Sequence, residues 1–199
     1  MSPNVRHSLS IELALLGFLR QGPLHGYQIH QQLSGPSGLS QVWRLKQSQL
    51  YALLARFDEA GYISGTLQAQ ESRPARRVYS LTPRGETVYL EWVRSPVSVP
   101  RQIRQEFLTK LYFARREGVQ AYAALVQAQR GATHGWLADL EARTPPTPDT
   151  DPQRWLVHQY RMRHIQAILD WLTLCERVQV EAAVPGLPLH PTGAKSDAA

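Results

Sequence analysis

Residues 47–81 have the sequence QSQLYALLARFDEAGYISGTLQAQESRPARRVYSL, in which a helical pattern is followed by two strand-like runs. The first part predicts an α-helix from about Gln47 to Ala60, with Gly61 as its stop signal. Its apolar residues recur on one helical face: Leu50, Leu53, Leu54 and Phe57. The opposite face is polar, so this helix has one side for a core and one side that is free to contact a partner.

Two strands are predicted after this helix, at Tyr62–Leu67 and Val78–Leu81, because both runs alternate and are rich in β-branched and aromatic residues. The segment between them, QAQESRPARR (residues 68–77), is polar and rich in arginine. It is too long for a tight two-residue turn. We therefore expect a hairpin that ends in a long basic loop.

Further helices are expected on both sides of the hairpin. Residues 9–20 and 25–33 have apolar residues at helical spacing, and Gly and Pro follow each run. Thr82 as N-cap and Pro83 as first helical residue predict a fourth helix to about Arg94. Three helices, a two-stranded wing and a fourth helix make a winged helix-turn-helix domain. In that fold the third helix can enter a major groove about 12 Å wide, and the wing can reach the phosphate backbone or the minor groove.

The C-terminal half is expected to be all helical, which makes the protein mainly α. Residues 8–95 would form the winged helix-turn-helix DNA-binding domain, and residues 100–182 a helical dimerisation domain. Residues 183–199 are small and polar and are expected to form a disordered tail. The helical segments are predicted at about 101–116, 119–143 and 152–180, with the helix-breaking linker TPPTP at 144–148.

The last segment carries a heptad-like apolar seam, which consists of Trp155, Met162, Ile165, Leu169 and Leu172. Such a stripe is too apolar to leave in water, so we expect it to form the interface of a twofold-symmetric homodimer. The alternative is that these residues only close a three-helix core within one chain.

The composition favours an anionic partner. The chain has 199 residues, 43% of them apolar, and a formal net charge of +6 from 22 Lys and Arg against 16 Asp and Glu. Nucleic acid is the commonest partner of a basic protein. A single cysteine, Cys175, excludes an internal disulfide, and no run approaches the roughly 18 apolar residues of a membrane span. We therefore expect a cytoplasmic protein without a membrane partner.

Four segments resemble the PadR family of transcriptional regulators, in the order in which that family has them. They are LALLGFLRQGPLHGYQI (13–29), SQLYALLARFDEAGYI (48–63), SRPARRVYSLTPRGE (72–86) and EFLTKLYFA (106–114). The last is similar to the start of the C-terminal domain in the branch that includes virulence activators. The resemblance covers roughly residues 9–180 and implies binding to promoter DNA. At Gln49 the family has Ser, so that hydroxyl contact does not carry over, and Gln49 can instead pair with adenine or contact a phosphate.

Five residues around the start of the third helix are candidates for DNA contact: Lys46, Gln47, Ser48, Gln49 and Tyr51. Their side chains are expected to line the outer face of the helix, where polar groups can meet base edges and phosphates. Tyr51 is aromatic and lies off the apolar face, so its hydroxyl is a candidate phosphate donor. The alternative is a polar face that only contacts water.

The wing and the second helix supply five more candidates: Arg73, Arg76, Arg77, His25 and Tyr27. Arginine forks match phosphate geometry and enter narrow minor grooves. Helix N-termini and tyrosine hydroxyls both suit phosphate binding, which applies to His25 and Tyr27. The alternatives are a charged loop that only contacts water and a histidine that caps or packs its helix.

Trp92, Phe107 and Tyr112 allow two interpretations. They form either a pocket for an aromatic small-molecule effector, as in some relatives of the resembled family, or part of the core and dimer packing. Catalytic, metal and cofactor sites are not expected, because the sequence contains no CxxC, H-E-x-x-H, Walker, GxGxxG or GxSxG motif. Cys175 lies on a periodic helix, where a buried thiol is more usual than a nucleophile.

The predicted function is a DNA-binding transcription regulator without enzyme activity. We expect a homodimeric repressor at an inverted-repeat operator, because occupying a promoter blocks polymerase without any further contact surface. The alternative is a protein-interaction module that kept the winged helix fold and lost DNA binding, and the basic wing argues against it.

Overall fold

The computed structural model describes residues 11–36, 39–70, 73–143 and 147–181, and the predicted mainly α fold is confirmed. The N-terminal half contains a 3-10 turn (Ile11–Leu13), α1 (Ala14–Leu19), β1 (Leu24–His25), α2 (Gly26–Ser34), α3 (Leu39–Val42), α4 (Gln47–Glu59), β2 (Ile63–Gln70), β3 (Arg73–Leu81) and α5 (Pro83–Arg94). The C-terminal half contains a 3-10 turn (Pro100–Gln102), a π-helical turn (Ile103–Phe107), α6 (Leu108–Glu117), α7 (Val119–Glu141) and α8 (Pro152–Glu181).

The wing is a three-stranded antiparallel sheet in the order β1–β3–β2, whereas two strands were predicted. The extra strand, β1, has only two residues, and it pairs with β3 through Leu24 opposite Tyr79 and His25 opposite Val78. Two residues are too few to show an alternating pattern, so the sequence gives no signal for this strand.

The two long strands extend further than predicted. Their ladder runs from Ile63 opposite Leu81 to Gln70 opposite Arg73, with one irregularity between Gln68 and Gln70. The prediction of a basic loop at residues 68–77 is therefore wrong for all but residues 71–72, which lie outside the described residues. Backbone hydrogen bonds hold a two-stranded ribbon together without any buried face, so its strands do not need alternating apolar residues.

The connections around α4 explain where it begins and ends. The segment before α4 contains the short helix α3, which was not among the predicted elements. Leu39 of α3 and Trp43, which follows it, are both buried and anchor this segment. The predicted start of α5 is confirmed, because Thr82 Oγ1 accepts a hydrogen bond from the Gly85 N–H at 3.0 Å. The same hydroxyl donates to the Gly61 carbonyl at 2.7 Å, which ties the end of α4 to the end of β3.

One hydrophobic core joins the two halves of the chain. Phe113 of α6 packs edge-on against Phe18 of α1 and Tyr89 of α5, with ring centroids 5.1 and 6.2 Å apart. Gly17 permits this approach, since a Cβ there would lie 2.6 Å from Phe113 Cδ1. The change of pattern at residues 95–100 therefore does not separate two cores. The predicted tail, residues 183–199, lies outside the described residues.

Helix α8 packs against α7 through one apolar stripe. Its buried members are Ile165, Ile168, Leu172 and Cys175. Arg130 of α7 and Glu176 of α8 form an ion pair with 2.8 Å between Nη1 and Oε2. Two members of the predicted dimer seam, Ile165 and Leu172, thus lie in the core of their own chain, because the side of α8 that carries them faces α7. No helix in the described ranges has the length and apolar character that crossing a membrane requires.

Candidate nucleic-acid interface

The start of α4 has a polar face that is open to solvent. Lys46 is the N-cap residue, and its side chain and those of Gln47, Ser48 and Gln49 are all exposed. Gln49 Oε1 accepts a hydrogen bond from the Lys46 N–H at 3.0 Å, so this side chain stabilises the start of its own helix. A bidentate contact with adenine needs both Oε1 and Nε2, and it would have to share or release that cap. The Nε2 amide is free to donate to a base or a phosphate.

Tyr51, one turn into α4, is positioned by α2. Its ring packs against Gly26, since a Cβ on Gly26 would lie only 2.6 Å from Tyr51 Cε1. Tyr51 nevertheless stays 41% exposed. The contact gives the glycine of the HGY run a physical role, which is to let an aromatic ring of α4 lie across the first residue of α2.

His25 holds the wing to α2. Its backbone N–H donates to Gln28 Oε1 at 2.8 Å, and its Nδ1 lies 3.2 Å from the Arg77 carbonyl. A carbonyl only accepts, so Nδ1 carries the proton and Nε2 of a neutral ring is an acceptor. The His25 side chain therefore links β1 to β3, while its backbone N–H is the group that caps α2.

Tyr27 has an exposed side chain and remains a candidate for phosphate contact. It is 56% exposed, and its hydroxyl oxygen accepts a hydrogen bond from Gln31 Nε2 at 3.1 Å. The hydroxyl hydrogen is thereby left to donate outward.

Arg77 crosses the wing to reach the end of α4. Its Nη2 lies 2.6 Å from Asp58 Oδ2, while Asp58 Oδ1 accepts a hydrogen bond from the Gly65 N–H at 3.2 Å. The guanidinium passes directly over Gly65, where any Cβ would collide with it. Arg77 is thus an anchor between β3 and α4, which limits how freely it can follow a DNA backbone.

Arg76 is an exposed arginine of the wing. It lies opposite Gln68, and in the described part of the chain it has no ion pair. Successive strand residues point to opposite faces, so Arg76 and Arg77 do not share a face of the wing. Arg73 is the first residue of β3, at the tip end of the hairpin, and the arrangement of its side chain is not among the described features.

Sequence reasoning missed three residues that build this surface. Gly26 positions Tyr51, Asp58 anchors Arg77, and Leu67 of β2 is a 74% exposed apolar side chain on the wing. In the sequence, Gly65 inside a strand pattern is a signal that another group approaches the backbone closely. In the structure this group is the Arg77 side chain. An isolated acid at the end of a helix carries no comparable signal, because its partner is distant in sequence.

The aromatic residues considered for an effector pocket lie in packed surroundings. Trp92 and Phe107 are buried, and Tyr112 is half-buried against Phe113 at 5.0 Å between ring centroids. Lys110 Nζ lies 5.4 Å from the centre of the Trp92 ring. These side chains fill space in the core, which agrees with the packing interpretation.

The described residues show neither a metal-binding group nor an activated cysteine nucleophile. Among them, no group of three or more His, Cys, Asp or Glu is placed to bind a metal ion. Burial raises the pKa of the Cys175 thiol, which keeps it in the unreactive protonated form.

An exposed helix start beside an antiparallel wing defines a winged helix transcriptional regulator. The transcriptional regulator PadR-like family model matches residues 15–91, and the virulence activator alpha C-terminal model matches residues 103–178. The predicted family is therefore confirmed, and so is the expectation of a regulator rather than an enzyme.

Known proteins resemble this chain over most of its length. The negative transcriptional regulator PadR of Bacillus subtilis (strain 168) is 29% identical over 131 residues, which are 66% of this chain and 71% of that protein. The probable transcriptional regulator Rv1176c of Mycobacterium tuberculosis is 23% identical over 180 residues, 82% of this chain and 94% of that protein. A crystal structure of Bacillus subtilis PadR in complex with operator DNA has a TM-score of 0.45 and 25% identity, covering 88% of this chain and 99% of that one.

Proposed function

We propose that the protein binds double-stranded DNA as a homodimer and represses transcription at promoters that contain an inverted repeat. The observation that carries the DNA-binding part is the joint exposure of the α4 start and of Arg76 on the wing. With α4 in a major groove, its first turns would meet base edges and phosphates, while the wing follows the adjacent backbone.

The exposed residues take separate roles in this proposal. Lys46 and Arg76 neutralise phosphates, because both are exposed cations without an ion pair among the described residues. Gln47, Ser48 and the Nε2 of Gln49 lie where base edges would be. The hydroxyl groups of Tyr27 and Tyr51 donate hydrogen bonds to phosphates of the DNA backbone.

Repression is favoured over activation for two reasons. The Bacillus subtilis relative is named as a negative transcriptional regulator. Occupying a promoter is also sufficient to exclude polymerase, whereas activation requires a dedicated contact surface.

The homodimer is supported by a second apolar stripe on α8, distinct from the predicted seam. Leu156, Tyr160, Leu174 and Val178 are 55%, 67%, 53% and 43% exposed. They form two apolar pairs on one side of the helix, with Arg163, Ala167 and Asp170 between the pairs. Exposed apolar side chains that lie together mark interaction sites. A second copy, related by a twofold axis, would cover this stripe with its own. Of the predicted seam, Trp155, Met162 and Leu169 are half-buried and lie on a different side of α8 from this stripe.

Fluorescence anisotropy with labelled duplexes from the DNA upstream of the coding sequence tests DNA binding. Wild type should bind one of these duplexes more tightly than a scrambled duplex. Lys46→Gln should weaken binding several-fold, whereas Arg115→Gln, which removes the same charge from an exposed position on α6, should not. Failure to bind any duplex at low salt would refute the proposal and favour the protein-interaction module.

We also propose that a small molecule controls DNA binding. The aromatic residues first considered fill the core, so the support for an effector comes from a separate cavity of about 600 Å³, which is lined by residues 98–101, the end of α7 and the first half of α8.

A further inference from the structure

Leu67 of β2 is an exposed apolar side chain on the wing. Its exposed fraction, 74%, is larger than that of any other large apolar side chain in the described part of the chain. The residues on either side of it along the strand, Thr66 and Gln68, are exposed and polar. The wing therefore presents one isolated leucine to its surroundings.

The side of the wing that carries Leu67 is the side that contacts α4. Alternate residues of a strand share a face, so Leu67 lies on the same side of β2 as Ile63 and Gly65. Ile63 is buried in the core, and the Arg77 guanidinium passes over Gly65 to reach Asp58 of α4. Leu67 is the next position on that face, beyond the part that the protein covers. It is therefore turned toward the side on which α4 would meet DNA.

The ladder of the wing is irregular directly after Leu67. Gln68 lies opposite Arg76 and Gln70 lies opposite Arg73, so a stretch of two residues along β2 matches a stretch of three along β3. One extra residue on one strand is a β-bulge, which increases the local twist and changes the direction of nearby side chains. Bulges are common beside functional sites. The wing therefore does not continue as a regular ribbon beyond Leu67.

The size of the apolar area decides which partner can cover Leu67. A stable protein interface buries about 800 Å² on each partner, so one leucine between polar neighbours is too small for a protein. A base step of DNA needs only one apolar side chain, since leucine is among the residues that enter the minor groove and partly unstack two bases. Minor-groove proteins also use arginine, and Arg76 is exposed on the other face of the ribbon. DNA is therefore the partner that fits.

We propose that Leu67 enters the minor groove beside the bases that α4 contacts and unstacks one base step there. This inference rests on the proposed DNA-binding function. It adds a specificity residue that responds to how easily DNA deforms, whereas the start of α4 contacts base edges. Pyrimidine–purine steps such as TA and CA unstack most easily. The protein therefore prefers such a step at one fixed distance from the bases that α4 contacts.

Duplexes with 2-aminopurine in place of one adenine test the unstacking, because stacking quenches the fluorescence of this base. The duplex is the upstream sequence that the full chain binds most tightly, and the substituted position is moved along it. We expect fluorescence to rise about threefold at one position in each half-site and to stay level elsewhere. Anisotropy of the same samples reports binding. Binding without any rise would overturn this proposal alone, whereas no binding to any duplex would refute the proposed function as well.

Variants assign the unstacking to Leu67. Leu67→Ala should bind the duplex about tenfold more weakly and show no fluorescence rise when saturated, whereas Leu67→Met keeps an apolar side chain of similar size and should retain the rise. Gln68→Ala, which changes an exposed residue on the other face of the ribbon, is the matched control and should retain it too. All three variants change exposed side chains, so thermal unfolding should match that of wild type. A rise of the same size in Leu67→Ala would overturn the proposal.

Discussion

The guanidinium of Arg77 on β3 binds the carboxylate of Asp58 at the end of α4, with 2.6 Å between Nη2 and Oδ2. The same carboxylate accepts a hydrogen bond from the Gly65 N–H of β2. One acid therefore joins both long strands of the wing to α4. Since the Arg77 side chain is half exposed, the pair stabilises the fold by about 1 kcal/mol or less. Its main effect is to fix the wing relative to α4.

We expect Arg76→Ala and Arg77→Ala to have different effects. Arg76→Ala removes an unpaired charge, so it should weaken binding to all duplexes about equally and leave the free energy of unfolding within about 0.5 kcal/mol. Arg77→Ala should lower stability by up to about 1 kcal/mol and should be non-additive with Asp58→Ala, because the two side chains form one pair. Urea unfolding and anisotropy on the same samples measure both. Additive losses for Arg77 and Asp58 would contradict the anchor.

DNA binding should depend steeply on salt. If a dimer neutralises about six phosphates, its affinity should fall roughly a thousandfold between 50 and 200 mM salt. Each phosphate contact that is removed should reduce the slope of log K against log salt by about 0.9. Lys46→Gln should therefore give a shallower slope than wild type, and Arg115→Gln on α6 should not. If the affinity of wild type did not change with salt concentration, phosphate contacts would not contribute to DNA binding.

Gly26→Ala should displace Tyr51 and weaken DNA binding. The added methyl would displace the Tyr51 ring, because their atoms would be 2.6 Å apart. We expect a loss of about 1–3 kcal/mol in stability from overpacking and a fall of about tenfold in DNA affinity. Gly131→Ala is the matched control, since a Cβ there meets nothing within 4 Å on α7. It should instead stabilise the helix by about 1 kcal/mol, and a Gly26→Ala protein with normal DNA binding would show that the position of Tyr51 is unimportant.

The sequence predicted those parts of the fold that depend on local pattern. The apolar spacing of α4 and the Thr82–Pro83 start of α5 are local signals, and both correspond to the structure. The strands at residues 68–77 were missed because ladder hydrogen bonds between backbones leave no trace in side-chain polarity. β1 was missed because its partner lies more than fifty residues away.

The candidate site was predicted as a set of residues but not as an arrangement. Exposure of Lys46 and Gln47 follows from helical periodicity, and the structure agrees. The pairing of Arg77 with Asp58 depends on tertiary packing, so an arginine run alone could not separate an anchor from a free cation. For α8, periodicity identified an apolar seam without showing which side faces α7.

Alkaline pH should unfold the protein partly through Tyr122. Burial raises the pKa of this tyrosine to about 12, and its hydroxyl donates to the Cys175 carbonyl at 3.4 Å. The unfolded chain loses this proton near pH 10, whereas the folded chain keeps it, so stability is complete below pH 10 and falls between about 10 and 12. The loss is about 1.4 kcal/mol for each pH unit in that window.

Tyr122→Phe should remove this part of the pH dependence. Its free energy of unfolding should decline less than that of wild type above pH 10, as measured by urea unfolding at a series of pH values. Tyr27→Phe, which alters a 56% exposed tyrosine, serves as the control and should follow wild type. Identical alkaline profiles for all three proteins would mean that Tyr122 titrates normally.

Substitutions on the two sides of α8 should locate the dimer interface. Leu174→Gln/Val178→Gln changes two exposed apolar residues, so it should leave the chain folded but shift it from dimer to monomer at micromolar concentration in sedimentation experiments. Since a monomer presents a single recognition helix, the variant should lose the preference for half-sites about 34–36 Å apart on an inverted repeat. Val119→Gln is the control, because it removes a 70% exposed apolar side chain from α7 and should leave a dimer.

Leu169→Glu places a charge at a half-buried position and should mainly lower the free energy of unfolding. A folded monomer from Leu169→Glu, together with a dimer from Leu174→Gln/Val178→Gln, would instead place the interface on the Trp155 and Met162 side of the helix.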